Sequence, residues 1–227
     1  MTGSGNLTQY LWLLIQGVGV TLQMSGASLL LGSLAGMLLG LARSSPRPAL
    51  WLPSVIYIEA IRSTPFLVLL FFIYYGMPLV LGIDIPPFPS ALAALSLHCS
   101  AYMAEVVRAG IEAVPIAQRE AAAALGLGPG TTFFRVVLPQ AFPIIVPPAV
   151  GVFISTLKES ALASTIGFVD LLGTGLAIRD SLIGKGGSDV LVWVGLIYVL
   201  MCYALSLLGD QLRRRWGARD LAQSARS

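Results

Sequence analysis

Charge is what this sequence has least of. Only 11% of its 227 residues are Asp, Glu, Lys or Arg, against about a quarter in soluble domains, while 56% are hydrophobic. The mean hydropathy is +0.82. A chain this poor in charge cannot cover a water-facing surface, so its length divides better into membrane spans of about 20 residues than into soluble domains. It has one histidine, His98, and two cysteines, Cys99 and Cys202, both set in apolar stretches. That placement suits small core residues better than a disulfide or a metal-ligand pair. There is no HExxH, no GxSxG, no cysteine–histidine pair and no carboxylate pair in a plausible pocket, and the chain therefore does not read as an enzyme. A nucleotide motif is missing too, because in GKGG Lys185 is followed by Gly186 outside any G-x-x-x-x-G-K-[ST] frame. The pI of 9.1 does not signal nucleic acid. Basic residues cluster beside apolar runs and form no face with interleaved aromatics.

Charge is also absent from Met1 to Ala42, and the first charge, Arg43, follows the apolar run. A secretory signal has the opposite order, so this stretch reads as a true span with its N-terminus outside. Gly32, Gly36 and Gly40 recur every four residues, with Ser25 and Ser28 continuing the small face, which lets another helix pack closely. Further apolar runs give five expected spans within one all-α integral membrane domain over 1–227: about 10–42, 51–82, 89–108, 134–157 and 190–210. A loop at about 114–133 and a re-entrant or outer segment at about 158–189 complete the chain. With the N-terminus outside, nine arginines fall inside (Arg43, Arg47, Arg119, Arg135, Arg213, Arg214, Arg215, Arg219 and Arg226) against Lys158, Arg179 and Lys185 outside. Five spans then put the C-terminus in the cytoplasm.

Polar residues near the spans each admit two readings. Glu59 and Arg62, before Ser63, Thr64 and Pro65, are either a gate on a translocation path or an ion pair that sets helix entry. Tyr74 and Tyr75 suit an aromatic belt or a substrate contact. His98 touches substrate or carries a proton, or is a neutral hydrogen-bonded core residue. Glu105 and Arg108 read as a helix-end salt bridge. Pro139, Pro143, Pro147 and Pro148 interrupt the fourth span, which must bend and lean on its neighbours. Behind it, Lys158, Glu159 and Ser160 offer a cation, an anion and a hydroxyl, a match for a zwitterion, or else an interfacial lysine beside a paired glutamate.

The stretch Glu120 to Ala141, EAAAALGLGPGTTFFRVVLPQA, is unlike its neighbours. Its alanines favour helix, Pro115 suits a first turn, and Gly126, Gly128 and Pro129 give a firm stop. A helix from about Ile116 to Leu125 with a flat alanine face between two spans is shaped to press into a partner's groove. Glu120, Ala121, Ala122, Gly126, Val136, Leu138 and Pro139 fall at the spacing of the EAA loop of ABC importer permeases, with Val136 where isoleucine is commoner. With YIEAIRSTPFLVLLFFIYYGMP, AYMAEVVRAGIEAVPIAQREAAAALGL and LKESALASTIG, most of the chain resembles the polar amino-acid branch of that family, the histidine/glutamine/arginine type.

The resemblance implies the type I ABC importer fold in a bacterial inner membrane. It also implies a coupling role for Glu120, Ala121, Ala122, Leu125 and Gly126. It further implies a dimer of ATPase subunits carrying ATP and Mg, a second permease subunit (the same or homologous), an extracytoplasmic solute-binding protein and an amino-acid substrate; this chain itself binds no cofactor. Candidates for path or gate are Glu59, Arg62, Ser63, Thr64, Tyr75, His98, Lys158, Glu159 and Ser160. An ion-coupled secondary transporter would need acidic residues at midspan, and none is found there. A non-transporting scaffold would leave the EAA spacing without a reason.

Overall fold

A computed structural model describes residues 3–182 and 189–224; the GKGG turn, Lys185 and Arg226 lie outside the described residues. Every regular element among the described residues is helical: α1 Gly3–Arg43, α2 Pro48–Ser63, α3 Phe66–Leu81, α4 Pro87–Glu112, α5 Ile116–Ala124, α6 Pro129–Ile166, α7 Leu171–Ser181 and α8 Asp189–Ser224. Four of them, α1, α4, α6 and α8, are long and apolar enough to cross a membrane, and α2 with α3 makes a fifth if the bent pair is one span.

The bend between α2 and α3 is 104°. It follows from Pro65, which lacks an N–H and drives the residue before it out of the helical region. Thr64 accordingly sits at φ −97°, ψ 125°. The expected span over about 51–82 is thus built of two arms, and only α3 follows the apolar, charge-free part of the sequence.

Prolines act differently elsewhere. The expected bend of the fourth span does not break it, since α6 is one helical run. A π-helical segment, Phe133–Val137, stands immediately before Leu138 and Pro139. The same device appears in α3, where Phe72–Gly76 is π-helical immediately before Met77 and Pro78. A proline removes one i→i−4 hydrogen bond and crowds the carbonyl four residues back, and a widened turn relieves both.

The glycine face of α1 meets α4. A Cβ on Gly32 would lie 2.6 Å from the Cys99 Cβ, one on Gly36 2.7 Å from the Ser100 carbonyl oxygen, and one on Gly40 2.6 Å from the Ala104 carbonyl oxygen. Only hydrogen fits. Lipid offers no hydrophobic drive between helices, so such close backbone contact supplies dispersion energy in its place. Around this pair, Met24, Phe66, Leu70 and Leu95 form one buried cluster, and Met103, Val107, Val137 and Ala141 another.

The segment expected to be re-entrant or outer is more ordered than its turn-rich sequence suggests. After Ser160 a 3₁₀ stretch, Ala161–Ile166, ends at Gly167, whose φ is +83°. Asp170 then caps α7: its carboxylate accepts the Gly173 N–H at 2.8 Å and the Tyr198 hydroxyl at 2.9 Å. Beside it, the Leu171 N–H donates to Thr21 Oγ1 at 3.1 Å. Burial pushes the Asp170 carboxyl up, and the Gly173 and Tyr198 hydrogen bonds oppose that rise. One buried carboxylate thus ties α7 to α8, and the adjoining amide ties it to α1.

Candidate functional site

The Glu120 segment forms a short exposed helix at the end of the bundle where α4 finishes. Pro115 precedes α5, and Gly126 terminates it at φ +76°. The Gly126 N–H donates to the Ala123 carbonyl at 2.9 Å and the Leu127 N–H to the Ala122 carbonyl at 3.0 Å, the paired bonds of a Schellman stop. Ala122 is buried, whereas Glu120 and Ala121 are exposed, and Leu125 and Ile116 are 81% and 72% exposed. Arg119 Nη2 donates to the Ile111 carbonyl at 2.9 Å, pinning α5 to the last turn of α4. One face is anchored, and an apolar rim around a glutamate is left outward.

Above that end lies an ion-pair cluster joining three helices. Arg43 of α1 stands 3.0 Å from Glu59 and 3.3 Å from Glu105; Arg62 of α2 stands 3.9 Å from each of the same carboxylates. Arg108 pairs with Glu105 and Glu112. Glu59 and Arg62 are thus not an isolated pair, and Glu105 is shared by three arginines. Glu105→Gln leaves those arginines short of a counter-charge in a partly buried site. It is expected to cost about 1–3 kcal/mol, read as a lower thermal-inactivation temperature of the purified complex; an unchanged temperature would mean that water already screens the cluster. Ser63 is exposed, and Thr64 Oγ1 donates back to the Ala60 carbonyl at 2.8 Å, so both belong to the end of α2.

Deeper in the bundle, His98 Nδ1 lies 2.8 Å from Glu159 Oε2, joining α4 to α6. The imidazole also meets the Phe66 ring edge at 5.4 Å and the Tyr102 ring at 4.6 Å between centroids. His98, Tyr102, Gly151, Val152, Ser155, Thr156 and Glu159 line a cavity of about 350 Å³. Arg62 sits 5.6 Å from the centre of the Tyr102 ring, so the charge cluster reaches the cavity through that ring.

The trio Lys158, Glu159 and Ser160 is not gathered into one pocket. Glu159 turns to His98. Lys158 lines a separate cavity of about 520 Å³ with Tyr198, Cys202, Tyr203 and Ser206 against α8. Ser160 is buried, and its hydroxyl donates to the Leu157 carbonyl at 2.8 Å. Successive residues on a helix point about 100° apart, which separates them. Tyr75 lines neither of these cavities and stands in the second half of α3 beside Tyr74. Sequence reasoning missed Arg43, Tyr102, Ser155, Thr156 and the Asp170–Tyr198 pair. Ser155, Thr156 and Glu159 at i, i+1 and i+4 on one apolar helix were the signal available for the cavity. Among the described residues no cluster of histidine, cysteine or carboxylates could hold a metal.

Residues 29–219 match the model of the family described as the binding-protein-dependent transport system inner membrane component. The chain is 38% identical over 213 residues to the L-cystine transport system permease protein TcyB of Bacillus subtilis (strain 168), covering 91% of this chain and 88% of the relative. It is 34% identical to the arginine transport system permease protein ArtQ of the same organism, covering 91% and 94%. Among solved structures, an amino acid ABC transporter with histidines superposes with a TM-score of 0.86 at 35% identity, over 95% of this chain and 99% of that one. The MetNI methionine ABC transporter in an inward-facing conformation gives 0.77 at 26% identity, over 91% and 97%. The fold is that of a type I ABC importer permease, ATP hydrolysis belongs to a separate subunit, and the chain belongs to the family of inner membrane components of binding-protein-dependent transport systems.

Proposed function

We propose that this chain is the permease subunit of an ATP-driven importer of polar amino acids, with its N-terminus outside and its C-terminus in the cytoplasm. The observation that carries this reading is α5: a helix held to α4 by Arg119, stopped by Gly126, and presenting Glu120, Ile116 and Leu125 outward. Two permease subunits, identical or homologous, enclose the path. A pair of ATPase subunits binds ATP and Mg, and the external binding protein delivers substrate. Closure of the ATPases moves α5 as a rigid piece, and the Arg119 bond passes that movement into α4, which carries Glu105, His98 and Tyr102. Nucleotide and substrate then each favour one of two states of the bundle. The names of the cystine and arginine permeases support an amino-acid cargo.

Within that path, the His98–Glu159 cavity is the substrate contact best supported. Its carboxylate meets an ammonium group, while the Ser155 and Thr156 hydroxyls and the Tyr102 ring offer further polar and aromatic contacts. Glu159→Gln is expected to raise the half-saturating amino-acid concentration for uptake about tenfold. An unchanged value in both Glu159→Gln and His98→Ala would place the cavity off the path. The function as a whole is tested by co-purifying the chain with its neighbouring ATPase and permease subunits and measuring ATPase activity in nanodiscs against a panel of amino acids with the binding protein. Stimulation by a polar amino acid supports the reading. A chain that purifies as a stable complex without any ATPase contradicts it.

A further inference from the structure

The break between α2 and α3 lies against the wall of the His98–Glu159 cavity, and the residues on its two sides touch that wall. Arg62 is in the last turn of α2, and Phe66 is the first residue of α3. Between them Pro65 forces Thr64 into an extended conformation, and the helix pair is bent by 104°. Arg62 Cζ stands 5.6 Å from the centre of the Tyr102 ring. Phe66 meets the His98 ring at 5.4 Å with 68° between the ring planes, an edge-on contact. His98 and Tyr102 are one turn apart on α4, with 4.6 Å between their ring centroids, and both line the cavity with Glu159. One bend therefore reaches both aromatic rings of the cavity, one ring from each arm.

Arg62 is better placed for the ring than for its ion pairs. Glu59 and Glu105 are each 3.9 Å from it, at the limit of pairing, whereas Arg43 holds the same two carboxylates at 3.0 Å and 3.3 Å. The Arg62 Nε is buried without a hydrogen-bond partner among the described residues. A guanidinium so loosely paired and seated over an aromatic face is held by the charge distribution of the ring. Docking of α2 does not depend on this contact, because Tyr57 Oη and Ser100 Oγ share a hydrogen bond at 2.7 Å that ties α2 to α4 separately. We propose that Arg62 and Phe66 are positioning residues for substrate recognition. They fix the Tyr102 and His98 rings from the two arms of the bend, and through His98 they fix the Glu159 carboxylate 2.8 Å away. The angle between α2 and α3 then sets how tightly the cavity holds an amino acid. The proposal rests on the importer reading and on this cavity being its substrate contact.

The test is equilibrium binding of labelled polar amino acids to the complete complex in nanodiscs without the binding protein, followed with the amino acid that the wild-type complex binds best. Arg62→Gln and Phe66→Leu are each expected to raise Kd about threefold. Arg62→Lys keeps a cation over the ring and is expected to restore most of the affinity. In a Tyr102→Leu background, Arg62→Gln is expected to add nothing, because both changes remove one contact. Arg108→Gln disturbs the same ion cluster without touching Tyr102, and is expected to lower the thermal-inactivation temperature while leaving Kd unchanged. An equal rise of Kd in Arg108→Gln and Arg62→Gln overturns the proposal, since cluster stability would then explain both. An unchanged Kd in Arg62→Gln beside a raised one in Glu159→Gln overturns the positioning role alone. Absence of saturable binding by the wild-type complex removes the cavity as a substrate contact, and the positioning role with it.

Discussion

Gly126→Val is expected to lower amino-acid-stimulated ATP hydrolysis about tenfold or more, while Gly126→Asn keeps most of it. The reason is backbone conformation alone. A Cβ at Gly126 meets no atom within 4 Å, so the valine side chain has room. What it lacks is the φ of +76°, which costs an L-residue about 1–2 kcal/mol and a β-branched one more. Losing that conformation breaks the Gly126–Ala123 and Leu127–Ala122 bonds that end α5. The helix then frays or runs on, and Glu120 and Leu125 leave the geometry in which a partner groove would hold them. Asparagine tolerates the left-handed region, which makes it the control for size and polarity. If both variants retain full stimulation and still co-purify with the ATPase, the stop at Gly126 is not needed for coupling.

Gly36→Leu is expected to have the largest effect on stability. A Cβ there lies 2.7 Å from the Met103 Cβ and from the Ser100 carbonyl oxygen, and 3.1 Å from the Ala104 amide nitrogen. Two of these atoms are backbone and cannot rotate away, so α1 and α4 must separate along their length. Overpacking of this kind costs about 1–3 kcal/mol in a soluble core. Here it also opens the contacts of Gly32 and Gly40 on either side. The expected result is membrane insertion at normal levels with little folded complex surviving detergent extraction, measured by size-exclusion chromatography. Gly26→Leu is the matched control, since no atom lies within 4 Å of a Cβ at that position. Equal recovery of both variants would mean that the glycine face is not a packing face.

Local features of the chain were the most legible. The glycines spaced by four identified the close-packed face of α1, because close backbone approach needs small residues wherever the partner lies. The Pro115 and Gly126 punctuation bounded α5 to within one residue. Pro65 is a local signal for a break between α2 and α3, whereas the size of the bend, 104°, is set together with the packing of the two arms. Pairings between distant segments were invisible for the same reason. His98 and Glu159 were each singled out without any sign that they meet, and Glu105 was read with Arg108 although Arg43 and Arg62 share it. Asp170 carries no local signal, because its Gly-rich surroundings read as turns. Its partners, Tyr198 and the Gly173 amide, exist only once α7 and α8 are assembled. The trio at Lys158 misled in the opposite way, since adjacency in sequence on a helix is divergence in space.

The most direct test of the central claim is uptake of labelled polar amino acids into proteoliposomes that hold the complete complex, with the binding protein outside and nucleotide sealed inside. ATP-dependent accumulation against a gradient, absent with a non-hydrolysable analogue and insensitive to collapsing proton and sodium gradients, is the result predicted for a permease driven through α5. Accumulation that follows an ion gradient and ignores ATP would contradict it and make the chain a secondary transporter.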